Sequence, residues 1–131
     1  MRLRGIPLAV LIAVTTISCS GVTAEYEMSG SFTLFSTDTS GSSSNCRGSG
    51  GYNDIKSGLS VTVRDGSGGI LGTGRLGTGR QRATYGCYFE FSVGGLSKVD
   101  FYSVEVGSRG EMTYSFEEMK NNNWEVAFSL G

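Results

Sequence analysis

The chain has 131 residues, which is the length of one domain. The chain has eleven Lys and Arg residues and twelve Asp and Glu residues, so its formal charge is −1. This charge argues against binding to nucleic acid, because such binding requires a strongly basic face. The chain has no histidine, and this excludes Ser-His-Asp and Cys-His catalysis as well as histidine metal sites.

The start of the chain has the layout of a secretory signal. Arg2 and Arg4 precede an uncharged, mostly apolar run at residues 6–17. A membrane-spanning helix requires roughly 20 apolar residues, so this run is too short for a permanent span. We expect residues 1–24 to be the signal and residues 25–131 to be a single domain. Loss of the two arginines leaves nine basic side chains against twelve acidic ones, a net charge of −3.

Two processing sites compete at the end of the signal. Thr16–Cys19 resembles a bacterial lipobox, in which Cys19 would be lipidated and would anchor the protein to a membrane of the cell envelope. Val22–Ala24 is a small-x-small site for ordinary secretion, which would release a soluble protein. The protein is exported in both cases.

The three cysteines fit an exported protein. Cys19 is either lipidated or removed with the signal, which leaves Cys46 and Cys87. These two can form a disulfide in an oxidising compartment; the alternative is two free buried thiols. Two sulfurs without histidine do not complete a tetrahedral zinc site unless carboxylates join them. We therefore expect a Cys46–Cys87 bridge and no metal.

The dominant hydrophobic period in the domain is two, which is typical of strands with one buried face. Ser31–Phe35 is expected to open the domain as a strand. Ser36–Gly51 is rich in Ser, Thr and Gly and is predicted to be a long loop that carries Cys46. The alternating runs that follow are Leu59–Arg64, Tyr85–Val93, Tyr102–Val106, Met112–Phe116 and Trp124–Leu130.

Turn and helix signals fit the same class. Asp65–Gly69 predicts a hairpin. Ser115–Glu118 matches a capping box, so a helix of one or two turns is expected there, ending by Lys120. Short strands, glycine turns and one helical turn together predict an all-β sandwich of about six to eight strands.

Part of the domain resembles a known group of sandwich modules. Over residues 55–107, the segments that carry the likeness are Gly58–Asp65, Gly69–Leu71, Phe89–Val93 and Tyr102–Val104. They resemble the prealbumin-like modules, which include collagen-adhesin B-type repeats and carboxypeptidase regulatory-like domains. Cys87 departs from the pattern, because those modules usually carry a tyrosine near this position. The resemblance implies a prealbumin-like or immunoglobulin-like β-sandwich.

A second resemblance covers nearly the whole domain. Its residues are Cys46–Ile55, Phe101–Val106, Arg109–Glu111 and Ser129–Gly131. These segments resemble a family of uncharacterised small exported proteins or lipoproteins of actinobacteria. The resemblance implies export and brings no activity or site residue with it.

Few motifs point to chemistry. Gly72–Gly77 matches the dinucleotide fingerprint G-x-G-x-x-G, but no helix is predicted after it, so we interpret it as part of a repeat, Leu-Gly-Thr-Gly-Arg, present twice in Leu71–Arg80. Asp54 is a candidate general acid or base, although a turn-forming role fits a loop aspartate better. The adjacent Glu117 and Glu118 lie on the helical turn. We expect no cofactor and no enzyme, since no group here meets the geometric roles of an active site.

Five residues are candidates for partner binding: Arg75, Arg80, Arg82, Tyr88 and Phe101. The three arginines form a basic cluster in an acidic domain and suit anionic partners; the alternative is that they protect a strand edge from aggregation. The two aromatic residues fall on outward positions of their strands, where they would form an exposed binding patch. The alternative is burial under the long loop, and this is what we expect for them.

The sequence therefore predicts a non-catalytic envelope or surface module that binds a protein or a glycan. The alternatives are a small carboxylate-based hydrolase and a structural accessory domain of an exported complex. A pocket with converging carboxylates would favour the hydrolase, and an exposed patch would favour the binding module.

Overall fold

The computed structural model describes residues 24–82 and 85–131, together with Gly5. Apart from Gly5 and Ala24, the predicted signal and its two processing sites, including Cys19, lie outside the described residues. Within the described part of the chain, no helix has the length and apolar character needed to cross a membrane.

Short strands account for most of the described residues. They are β1 Tyr26–Leu34, β2 Thr39–Ser42, β3 Asn45–Gly48, β4 Ser60–Arg64, β5 Ile70–Arg75, β6 Cys87–Leu96, β7 Phe101–Val106, β8 Glu111–Ser115 and β9 Glu125–Leu130. A 3₁₀ turn at Gly50–Tyr52 precedes β4, and the short helix α1 spans Phe116–Asn121.

The strands form a sandwich, as the sequence predicted. One sheet has the order β5-β4-β7-β8 and is antiparallel throughout. The opposing sheet has the order β6-β1-β9, in which β1 pairs antiparallel with β6 and parallel with β9. β2 and β3 form a separate hairpin. The core lies between the sheets because the apolar residues of each strand alternate with polar ones and point inward.

The buried core follows the predicted alternation closely. Val61 and Val63 of β4, Phe89 and Val93 of β6, and Tyr102 of β7 are almost inaccessible to solvent. The hydroxyl of Tyr102 donates to the Ser97 carbonyl at 2.8 Å and accepts from the Val99 amide at 3.1 Å, so its polar end is satisfied within the core. Burial raises the pKa of this hydroxyl.

The glycine-rich repeat joins the two sheets. A Cβ on Gly72 would lie 2.9 Å from the Val93 side chain, and one on Gly74 would overlap the Ser92 carbonyl, so β5 approaches β6 closely only because these residues are glycines. The chain then leaves the four-stranded sheet and runs beside β6. The Gly77 amide donates to the Glu90 carbonyl at 2.8 Å. The glycines of the G-x-G-x-x-G match therefore allow close packing of this segment against β6.

A disulfide fastens the β2–β3 hairpin to β6, as predicted. Cys46 of β3 and Cys87 of β6 are bonded, with their Cα atoms 5.9 Å apart. The bond lies over Gly79: a Cβ there would lie 2.6 Å from the Cys87 sulfur and would overlap the Cys46 carbonyl. The Cys46 amide donates to the Gly79 carbonyl at 3.0 Å, so the repeat segment is held between β3 and β6.

The local turn predictions are confirmed in atomic detail. Asp65 accepts from the amides of Ser67 and Gly69 at 2.9 and 2.8 Å and so closes the β4–β5 hairpin. At the start of α1, Ser115 accepts from the Glu118 amide and Glu118 accepts from the Ser115 amide, both at 3.1 Å.

The structure corrects three expectations. The predicted loop Ser36–Gly51 contains the β2–β3 hairpin, which raises the number of strands among the described residues to nine. Polar residues form strands here because Cys46 and Gly48 are buried against the core and the disulfide holds them. The predicted alternating run begins at Tyr85 on its apolar, inward positions, but β6 begins at Cys87 and Tyr85 is 55% exposed. Gly86, at φ +126°, turns the chain between them.

Candidate functional site

A polar groove lies on the outer face of the three-stranded sheet. Its floor is formed by the central strand β1, where Ser29, Gly30 and Ser31 are small. The register places Ser31 beside Glu90 of β6 on one side and beside Ala127 of β9 on the other. Small residues on the middle strand thus lie between the longer side chains Glu90 of β6 and Glu125 of β9, which leaves a trough.

The walls of the groove carry polar and charged side chains. Tyr88 and Glu90 of β6 form one wall, and Glu125 and Ala127 of β9, with Asn122 from the end of α1, form the other. The groove has a volume of about 670 Å³, within the roughly 300–1,000 Å³ of typical small-molecule sites.

Arg82 and Tyr88 form a stacked pair at one end of the groove. The guanidinium carbon of Arg82 lies 3.9 Å from the centre of the Tyr88 ring, a cation–π contact. The Tyr88 hydroxyl donates to Glu90 at 3.3 Å. The backbones of Arg80 and Tyr88 pair through two hydrogen bonds of 2.8 Å, and this fixes the arginine-bearing segment beside β6. The stack therefore orients Tyr88 and, through it, Glu90.

The chemistry of the groove is that of hydrogen-bond recognition. Its lining supplies serine and tyrosine hydroxyls, an asparagine amide and two carboxylates, and it includes no Lys or Arg. Within the described residues, no side-chain hydrogen bond or ion pair engages Ser29, Ser31 or Glu125. These groups are available to a ligand.

The structure brings together only some of the residues predicted to bind a partner. Arg80, Arg82 and Tyr88 are neighbours beside the groove. Arg75 lies on the other sheet, where it donates to the Gly58 carbonyl at 2.9 Å. Phe101 also belongs to that sheet and is 51% exposed, so the burial expected for it is wrong. Tyr88 is partly buried beneath Arg82 rather than beneath the predicted long loop.

Asp54 has a structural partner that the sequence analysis did not identify. Arg109, in the β7–β8 turn, donates to both carboxylate oxygens of Asp54, one of them at 3.0 Å, and to the Gly51 carbonyl at 2.6 Å. The Arg109 hydrogen bonds hold the pKa of the Asp54 carboxyl below its ordinary value of 3.8. A carboxylate bound in this way by arginine links the 3₁₀ turn to the β7–β8 turn of the four-stranded sheet. It is poorly suited to proton transfer, because the arginine stabilises its ionised form.

Sequence reasoning missed the wall residues Glu90, Asn122 and Glu125. Glu90 is far along the chain from Asn122 and Glu125, and the pairing of β1 with both β6 and β9 brings the two segments together. Their outward position in an alternating strand was the signal available, but it does not distinguish a groove from an ordinary solvated face. No group of three or more Cys, Asp or Glu side chains suited to a metal ion occurs within residues 24–82 and 85–131.

Fold and groove together define a disulfide-bonded all-β sandwich with a polar groove on the outer face of one sheet. No protein-family model, curated protein or solved structure matches the chain.

Proposed function

We propose that this protein is a non-catalytic, exported envelope module that binds a glycan in the groove on its three-stranded sheet. The observation that carries the proposal is the groove itself: hydroxyls, an amide and two carboxylates surround a trough of about 670 Å³ on a rigid sheet. Sugars present many hydroxyls, and paired donors and acceptors on a fixed scaffold match them without large conformational cost. The disulfide is compatible with an extracellular location.

A glycan fits the groove better than a protein does. The centre of a protein interface is depleted of charged residues and holds large apolar or arginine anchors. The floor here is formed by small residues, including Ser29 and Ser31, and each wall carries a carboxylate. A narrow ligand rich in hydroxyl groups can enter such a trough, whereas a broad protein surface would leave those carboxylates unpaired.

The two carboxylates also support a second candidate, a carboxylate-based hydrolase. β6 and β9 flank β1, so Glu90 and Glu125 project from strands about 10 Å apart. Inverting glycoside hydrolases hold their two carboxyl groups roughly 6.5–9.5 Å apart, and side chains inclined toward the groove would reach that spacing. In this alternative, release of shorter sugars accompanies binding.

The test is glycan-array screening of the exported protein, followed by calorimetry with the glycans that bind. Glu125→Gln replaces a carboxylate acceptor on the wall, and Ser31→Gln fills the floor of the groove. Each substitution should weaken glycan binding by about tenfold or more. Glu117→Gln, a matched change on exposed α1 outside the groove, should bind like the parent. If the groove variants bind equally well, the groove is not the site. Chromatography of the incubated glycan distinguishes the two candidates, since only a hydrolase yields shorter products.

Anchoring through Cys19 is part of the same proposal and has its own test. A lipid on Cys19 would leave a short tether, residues 20–26, which spans at most about 25 Å and would hold the domain near the membrane. Mass spectrometry of the protein from its native envelope should find an acylated N-terminal cysteine. A mature chain that begins at Glu25 would instead identify a secreted, soluble protein.

A further inference from the structure

β9 is an edge strand whose outward backbone groups have no partner among the described residues. The Trp124 carbonyl accepts from Ser29 at one end of the strand, and the Leu130 carbonyl accepts from Phe35 at 2.7 Å at the other, so the even-numbered residues face β1. The N–H and C=O groups of Ala127 and Ser129 consequently point away from the sheet.

This edge lacks the usual protection against pairing. Natural edge strands carry lysine, proline, a bulge or a covering segment. β9 has the sequence Glu-Val-Ala-Phe-Ser-Leu and pairs with β1 in an unbroken register. Its only charge, Glu125, lies at its first residue. The middle of the strand is therefore free to add a neighbour.

A second groove lies beneath the same edge. It occupies about 330 Å³ between β9 and the β7–β8 pair. Its lining includes the apolar residues Val104, Met112, Phe128 and Leu130, together with Arg109 and Glu111. Met112 occupies an inward position opposite Val104 but is 53% exposed. The four-stranded sheet thus presents apolar surface here that the three-stranded sheet does not cover.

We propose that a second copy of this chain covers this edge, with β9 of each copy paired antiparallel about Phe128. In that register Ala127 lies opposite Ser129 of the other copy, so all the outward groups of both residues form hydrogen bonds. Val126 lies opposite Leu130, and the two Phe128 side chains meet on the inward face above this second groove. The strand is therefore complementary to itself in its outward hydrogen-bonding groups and in its inward apolar side chains.

The dimer goes beyond the proposed glycan binding and does not depend on it. The polar groove is on the outer face of the sheet, and edge pairing leaves that face open. A monomer that binds glycan would contradict the proposed dimer but not the proposed function. A dimer that binds no glycan would contradict the proposed function but not the dimer.

Sedimentation velocity on the exported full chain carrying Cys19→Ser, which cannot be lipidated, tests the proposal. Between about 1 µM and about 1 mM, where weak dimers assemble, the mass should rise toward twice that of the monomer. Ala127→Pro removes an outward N–H without touching the β1 ladder and should weaken the dimer by about tenfold or more, whereas Ala127→Ser should leave it unchanged. A monomer throughout, or a dimer indifferent to proline, would overturn the proposal.

Hydrogen exchange on the unmodified sequence provides an answer even if the proline variant fails to fold. The amides of Ala127 and Ser129 should exchange rapidly in dilute protein and become protected as the concentration rises. Amides of β1 serve as the internal reference, since their protection should not change. Concentration-independent exchange at both residues would exclude pairing through β9.

Discussion

The outer faces of the two sheets are both polar, but they differ in how their polar groups are satisfied. On the four-stranded sheet, neighbouring side chains pair with one another: Ser103 and Thr113 share a hydrogen bond of 2.8 Å, and Arg64 lies 3.8 Å from Glu105. On the three-stranded sheet, Ser29 and Ser31 face an open groove. The three-stranded sheet therefore leaves hydroxyl groups around its groove without a side-chain partner, and the proposed glycan binding depends on these groups.

The two sheets also differ in what holds them together. The four-stranded sheet is a continuous antiparallel ladder of neighbouring strands. The opposing side depends on a glycine segment inserted beside β6 and on a disulfide over that segment. Among the described residues, the disulfide and the inserted glycine segment thus lie on the side of the sandwich that carries the groove, and we expect that side to depend more on them than the four-stranded sheet does.

Cys87→Ser should have the largest effect. The bridge joins residues 41 positions apart, and the loop-entropy model assigns about 4 kcal/mol to a ring of that size. Urea unfolding of parent and variant should show a loss near this value. If the loss were a few tenths of a kcal/mol, the covalent support would be dispensable and the contrast between the sheets would fail.

Gly79→Ala should have the next largest effect. A methyl group there would lie against the Cys87 sulfur and the Cys46 carbonyl, and overpacking of this kind costs about 1–3 kcal/mol. Gly94→Ala is the matched control, because a Cβ on Gly94 meets nothing within 4 Å. Equal thermal melts for the two alanine variants would contradict the inserted arrangement of residues 76–80.

Asp54→Asn should have the smallest effect, and that effect should depend on pH. Arg109 lowers the pKa of Asp54 in the folded protein, so the carboxylate contributes stability above about pH 4 that is lost as the pH falls through the lower folded value. The melting temperatures of parent and variant should therefore differ at neutral pH and converge in acid. A difference that persists below the folded pKa would mean that the pair acts through packing rather than charge.

The sequence was most informative where strands are buried on one face. Apolar alternation identified the inward residues of β4, β6 and β7, because burial of one face imposes a period of two. It failed for the β2–β3 hairpin, whose strands carry few apolar residues and whose Cys46 is bonded to β6. Local sequence does not report a constraint of that kind.

The candidate site was less predictable than the fold. Arg82 was identified as a candidate from its charge and Tyr88 from its outward position in a strand. The two residues lie at the end of the groove. Glu90 and Glu125 were not identified, because cross-strand register is a property of the assembled sheet. The separation of Arg75 and Phe101 from the other candidates has the same origin: residues near in sequence lie on different sheets once the chain crosses from one to the other.

The burial of the disulfide has a consequence for its chemical lifetime. Cys46 is 6% exposed and Cys87 is fully buried. Exchange requires a thiolate to reach one of the sulfurs, so an external reductant must wait until the β2–β3 hairpin moves aside. The rate of reduction then depends on how often that part of the fold opens as well as on the reductant. Once closed, the bridge is protected kinetically by the structure that it stabilises.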